Sequence, residues 1–241
     1  MNIQNNTIMI IKVCGICTRE NIQELEKIDV DWLGLIFWPE SPRYVKQVAA
    51  RGGFYPDYYT FAKNVDELGG MPQEARKQHH PLRVGVFVDD MPQNIVTRVY
   101  NFNLDLVQLH GEESPIMIDN LRRTLMPDIR PVKIIKTIFV EKADDLKVCS
   151  EYEDVVDYFL FHTKSAAKGG SGEGFDWSVI QAYDGKVPFL LSGGIGPDDV
   201  EAVRNFSHPM FAGIDVNSRF EIEPGKKDMD KVKAFVEAVK A

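Results

Sequence analysis

Met9-Ile10-Ile11-Lys12-Val13-Cys14-Gly15 runs from apolar residues straight into a thiol and a glycine. Two later stretches have the same form. Leu104 to Leu109 hands over to His110-Gly111, and Tyr158 to His162 is followed by Gly169-Gly170-Ser171-Gly172 and then Phe175-Asp176-Trp177. Short, near-continuous runs of Val, Ile, Leu and Phe are what strands look like when a parallel sheet buries both of their faces. Polar and glycine residues placed directly after such runs collect along the C-terminal edge of one sheet.

Working outward, eight such runs can be counted: Met9–Val13, Trp32–Phe37, Leu82–Val88, Leu104–Leu109, Val132–Ile138, Tyr158–His162, Val187–Leu191 and Pro209–Ile214. Segments with a helical period and a polar face lie between them: Arg19–Ile28, Pro92–Asn101, Ser114–Leu125, Ala143–Tyr152, Pro197–Asn205 and Asp228–Val239. Thr18 before Arg19-Glu20, Ser114-Pro115 and Gly196-Pro197 before Asp198-Asp199 are helix-start signals. Strand–helix alternation repeated eight times within 241 residues implies an α/β fold, a (β/α)₈ TIM barrel. A doubly wound open sheet is the alternative, because periodicity does not report closure. The expectation is a single domain over residues 1–241. It carries an insertion within about 46–81, where the stretch between the second and third strands is too long for one helix.

Hydrophobic residues make up 44% and charged residues 27% of the chain, which suits a soluble domain with a full core. The net charge of −8 argues against a nucleic-acid footprint, which needs a basic face. It does not argue against a phosphorylated small molecule, since backbone N–H groups can cradle phosphate on an acidic protein. No apolar run approaches the roughly 20 residues of a membrane span, so no membrane partner is expected. The three cysteines, Cys14, Cys17 and Cys149, are too few and too odd in number for a disulfide framework, and a cytoplasmic setting is the simplest reading.

Several residues carry chemistry on their own terms. Cys14 is either a small buried apolar residue or a base, if its thiolate is accessible. Cys14 and Cys17 form a C-x-x-C, but eight strands are too many for a thioredoxin-like redox fold. Gln108 and His110 alternate along one strand and face one side. Gly170, Ser171 and Gly172, with Ser192, Gly193 and Gly194, form glycine-rich loops after consecutive strands, where such barrels bind phosphate. His79-His80 has no carboxylate or cysteine at ligand spacing, so no metal is expected.

Seven motifs in order resemble one family. They are Lys12-Val13-Cys14-Gly15; Gly34-Leu35-Ile36-Phe37 running to Ser41-Pro42-Arg43-Tyr44-Val45; Val84-Gly85-Val86-Phe87-Val88; and Val107 to Gly111. The others are Gly169 to Gly172 with Phe175-Asp176-Trp177-Ser178; Leu191-Ser192-Gly193-Gly194-Ile195; and Gly213-Ile214-Asp215-Val216. The chain is similar to phosphoribosylanthranilate isomerases of tryptophan biosynthesis. The resemblance implies a barrel with no cofactor that converts N-(5-phosphoribosyl)anthranilate to the carboxyphenylamino-deoxyribulose phosphate by an Amadori rearrangement. A general acid protonates the ribose ring oxygen, the ring opens to an imine, and a general base removes the C2 proton.

By that resemblance Cys14 is the base, Arg43 clamps the anthranilate carboxylate, and Asp215 holds the anthranilate amine. Asp215 could otherwise be a helix N-cap. The family places its acid, an aspartate, where this chain has His162. Histidine could serve as the acid directly, with a rate that falls as pH rises through its pKa. Otherwise the chain is a phosphosugar-binding barrel with altered or lost isomerase activity. Asn217-Ser218-Arg219 also departs from the family's Ser-Ser-Gly, although Asn217 and Ser218 remain candidate substrate contacts. A monomer or weak homodimer is expected.

Overall fold

Eight parallel strands close on themselves in sequence order: β1 (Ile10–Val13), β2 (Trp32–Ile36), β3 (Leu82–Phe87), β4 (Leu106–Leu109), β5 (Lys133–Val140), β6 (Tyr158–Thr163), β7 (Phe189–Ser192) and β8 (Phe211–Val216). β8 returns to pair with β1, so the barrel has no open edge and the doubly wound alternative is excluded. The computed structural model describes residues 9–45, 81–125, 132–163 and 177–241. Nearly all of the expected insertion, and Gly170, Ser171 and Gly172, lie outside the described residues.

All eight anticipated runs are strands. β7 and β8 begin two residues later than their apolar runs suggest and extend further, to Ser192 and Val216. Each delayed start follows a proline by one or two residues, Pro188 or Pro209, which has no N–H to give to a ladder. The later ends place Ser192 and Asp215 inside strands rather than in loops.

The helices are α1 (Arg19–Leu25), α2 (Pro92–Phe102), α3 (Pro115–Leu125), α4 (Val200–Asn205) and α5 (Met229–Lys240). Thr18 caps α1 as its position suggests, its hydroxyl accepting from the Asn21 N–H at 3.2 Å. Ala143–Glu151, expected as α-helix, winds as 3₁₀. Its inward residues Leu146, Cys149 and Tyr152 recur every three positions, which matches three residues per turn.

Side-chain alternation sorts the strand residues into two cores. Outward residues, among them Ile11, Leu33, Phe87, Leu109, Phe161 and Ile214, pack under the helices. Inward residues Trp32, Val84, Leu106, Ile135, Leu160 and Leu190 fill the lower barrel, with Ile10 and Tyr158 packed against them. Trp32 and Tyr158 meet edge to face at 5.1 Å. Three aspartates just before even-numbered strands tie down the strand before each. Asp31, Asp105 and Asp157 accept the N–H groups of Ile11, Arg83 and Ile134 at 2.8, 2.9 and 2.8 Å. The floor is filled and pinned, and the cavity opens at the C-terminal end.

Candidate active site

The strand register carries a belt of side chains round the upper barrel. Phe139 pairs with His162, His162 with Ser192, Ser192 with Asp215, and Asp215 with Lys12. Paired residues in parallel strands share a face, so these five enter the interior together, on β5, β6, β7, β8 and β1. Cys14 lies two residues beyond Lys12, on the same face and nearer the mouth. Above the belt opens a cavity of about 490 Å³. It is lined by Cys14, Arg43, Gln108, His110, His162, Ser192, Gly193, Gly194, Asp215, Asn217 and Ser218, which are all the anticipated site residues that fall within the described chain. Ile36, Trp38, Val86, Val88 and Phe139 supply an apolar wall between them.

Lys12 and Asp215 form a buried ion pair, Nζ to Oδ1 at 2.8 Å. Ser192 Oγ donates to the other carboxylate oxygen at 3.1 Å. Asp215 is therefore a strand residue locked in a polar network, not a helix cap. Burial pulls the Lys12 pKa down, but Asp215 and the nearby Cys14 outweigh it, and the net shift is upward.

Cys14 is held by its glycines. A Cβ on Gly34 would lie 2.6 Å from its Sγ, so the sulfur occupies space that only glycine leaves open. Gly15 has φ +77°, and a Cβ there would meet Asn217 Oδ1 at 2.6 Å and Arg43 Cδ at 2.7 Å. Burial raises the Cys14 pKa, Lys12 lowers it and Asp215 raises it; the net is upward from 9.0. Burial thus favours the thiol over the thiolate at Cys14, with Lys12 working the other way.

His162 packs edge to face between His110, at 5.5 Å, and Phe139, at 5.4 Å. Its Nδ1 is buried with no partner among the described residues. Burial lowers its pKa below the ordinary 6.5, with Asp215 opposing and Lys12 adding to the fall. His110 is pushed down to about 3, chiefly by burial and then by His162, so it is a neutral ring. Gln108 Nε2 lies 3.1 Å and Thr137 Oγ1 3.0 Å from His110 Nδ1. With the Gln108 amide donating, Nδ1 accepts and the His110 proton sits on Nε2.

Gly193 and Gly194, directly after β7, have φ +104° and +72°, two successive left-handed positions that suit glycine alone. Arg43 reaches the mouth from the turn after β2 and is engaged side-on by Glu221. Sequence reading passed over Lys12, Glu221 and Lys227. A signal existed for Lys12: a lysine inside Ile10-Ile11-Lys12-Val13, a run buried on both faces, must find a buried acid. Glu221 and Lys227 sit in a two-strand hairpin, β9 (Glu221–Glu223) and β10 (Lys226–Lys227), too short to show a period.

Comparison with known proteins agrees with this geometry. The family described as N-(5'phosphoribosyl)anthranilate (PRA) isomerase matches residues 68–238. N-(5'-phosphoribosyl)anthranilate isomerase of Parabacteroides distasonis is 41% identical over 231 residues, covering 96% of this chain and 93% of the relative. That of Phocaeicola vulgatus is 38% identical over 232 residues, covering 96% and 98%. Phosphoribosyl anthranilate isomerase from Thermotoga maritima, a crystal structure, matches with a TM-score of 0.71 at 31% identity over 97% of this chain and 99% of that one. A phosphoribosyl anthranilate isomerase crystallised with reduced 1-(o-carboxyphenylamino)-1-deoxyribulose 5-phosphate matches with a TM-score of 0.70 at 27% identity, covering 97% and 99%. The chain belongs to the N-(5'-phosphoribosyl)anthranilate isomerase family.

Proposed function

We propose that this chain isomerises N-(5'-phosphoribosyl)anthranilate to 1-(2-carboxyphenylamino)-1-deoxyribulose 5-phosphate, a step of tryptophan biosynthesis, with Cys14 as base and His162 as acid. One observation carries the reading: Cys14, His162 and Asp215, far apart in sequence, line one cavity at the C-terminal end of β1, β6 and β8.

The substrate is a planar acid joined to a phosphorylated sugar, and the cavity offers a matching partner for each part. Gly193, Gly194 and Ser218 take the phosphate at the β7 and β8 ends. Arg43 takes the anthranilate carboxylate through paired N–H donors. His162, as imidazolium, gives its proton to the ribose ring oxygen, the C1–O bond breaks, and nitrogen lone-pair density forms the imine. Cys14 thiolate then removes the C2 proton to give the enolamine, which tautomerises to the ketone. Asp215 stabilises the positive charge that develops on the anthranilate nitrogen, and Lys12 holds that carboxylate in place.

The test is turnover by the purified chain, followed as loss of the fluorescent anthranilate ribotide. Steady conversion to the ketose phosphate is expected. Tight binding of the reduced product analogue without turnover would instead favour a barrel that has kept the phosphosugar site and lost the isomerase, a reading that His162 in the acid position keeps open.

A further inference from the structure

The guanidinium of Arg43 presents one edge to Glu221 and the other to the cavity. Its Nε lies 2.8 and 3.1 Å from the Glu221 oxygens, and its Nη2 lies 2.6 Å from one of them. These contacts use Nε–H and one Nη2–H, the side-on fork. The end-on fork, Nη1 with the second Nη2–H, has no hydrogen-bond partner among the described residues. It is the edge with the geometry to bind a planar carboxylate through two parallel bonds.

Glu221 is itself fixed. Its side chain is 4% exposed. Its Oε1 accepts from Lys227 Nζ at 2.8 Å and from the Gly225 N–H at 3.1 Å. Lys227, wholly buried, also donates to the Asn217 carbonyl at 3.2 Å and to Asn217 Oδ1 at 2.7 Å. Gly225, at φ +86°, makes the tight turn of the β9–β10 hairpin that brings the two together. Two cations thus share one carboxylate, which leaves a net positive charge beside the mouth for an anion to neutralise. A flexible arginine held by a rigid, buried fork loses little freedom when a ligand docks.

We propose that Glu221, locked by Lys227, is the positioning residue that presents Arg43 to the substrate carboxylate and so sets the preference for anthranilate over an uncharged aniline. The proposal rests on Arg43 being the carboxylate clamp. Removing the Glu221 charge would make the cluster more positive, so a purely electrostatic role predicts tighter anion binding, whereas an orienting role predicts weaker binding.

Steady-state kinetics would be measured with N-(5'-phosphoribosyl)anthranilate and with the same compound lacking the ring carboxylate. The readout is the ratio of kcat/KM for the two. Arg43→Met is expected to abolish the preference. Glu221→Gln is expected to cut it about tenfold, through a higher KM for the carboxylate substrate. Glu221→Asp keeps the charge but withdraws the fork by one methylene, and it too should lower the ratio, so the test does not depend on the glutamine variant folding. An unchanged or higher ratio in both Glu221 variants, with the ratio lost in Arg43→Met, overturns the positioning role and leaves the clamp standing. A ratio unchanged in Arg43→Met removes the clamp itself.

Discussion

Lys12 Nζ and Asp215 Oδ1 meet at 2.8 Å inside the barrel, on strands that are neighbours in space and some 200 positions apart in sequence. The pair closes the ring where β8 returns to β1, and it sits directly beneath Cys14. Removing one partner of a buried pair leaves the other charged and uncompensated, which costs about 3–5 kcal/mol. Lys12→Met should therefore lower stability by about that amount, read from the denaturant midpoint, and reduce turnover as well. Adding Asp215→Asn removes the stranded charge, so the double variant should recover most of the stability and none of the activity. Equal loss of stability in the single and double variants would contradict this.

The pH dependence follows from two opposed shifts. Cys14 is held above its ordinary 9.0 and His162 below its ordinary 6.5. The resting pair is thiol and neutral imidazole, whereas the working pair is thiolate and imidazolium. Both hold the same number of protons, so their ratio does not change between the two pKa values. The expectation of a rate falling as pH rises through the histidine pKa applies where Cys14 is already a thiolate. kcat/KM should be flat between about pH 6.5 and 9, falling below as His162 and Cys14 both hold protons and above as both lose them. A steady decline across that plateau, with isomerisation rate-limiting, would contradict the assignment.

Gly34→Ala tests how the sulfur is seated. The added methyl would lie 2.6 Å from Cys14 Sγ, so the thiol must move. A misplacement near 1 Å costs about 100-fold in rate. The variant should lose turnover on that scale and show altered reactivity of Cys14 toward a small alkylating reagent. Wild-type kcat in a folded Gly34→Ala protein would show that the thiol position does not matter.

The barrel floor should behave as packing alone. Trp32 is 4% exposed, lies edge to face on Tyr158 and is not among the residues that line the cavity. Trp32→Ala should cost about 3–5 kcal/mol of stability while leaving KM near the wild-type value.

These outcomes reflect what sequence can and cannot express. The strands were legible because burial on both faces leaves unbroken apolar runs, as in Phe159-Leu160-Phe161. Strand ends were less so, because Pro188 and Pro209 delay β7 and β8 through missing N–H groups rather than through hydrophobicity. Cys14, Gln108, His110 and Asp215 were legible as polar residues ending apolar runs. The pairing of Lys12 with Asp215, and the grip of Glu221 and Lys227 on Arg43, were not. They depend on the closure of the ring and on a two-residue hairpin register, neither of which leaves a periodic trace. His162 was visible as a residue but not as a charge state, since that depends on burial and on Asp215 and Lys12, which only the closed barrel brings near it.

The most direct test is kcat for wild type, His162→Ala and His162→Asp on N-(5'-phosphoribosyl)anthranilate at neutral pH. If the imidazole supplies the ring-opening proton, alanine should lose about 10²–10⁴-fold and aspartate, another acid at the same height on β6, should restore turnover to the wild-type level or above. Wild-type turnover in His162→Ala would contradict the account, because the proton would then come from elsewhere.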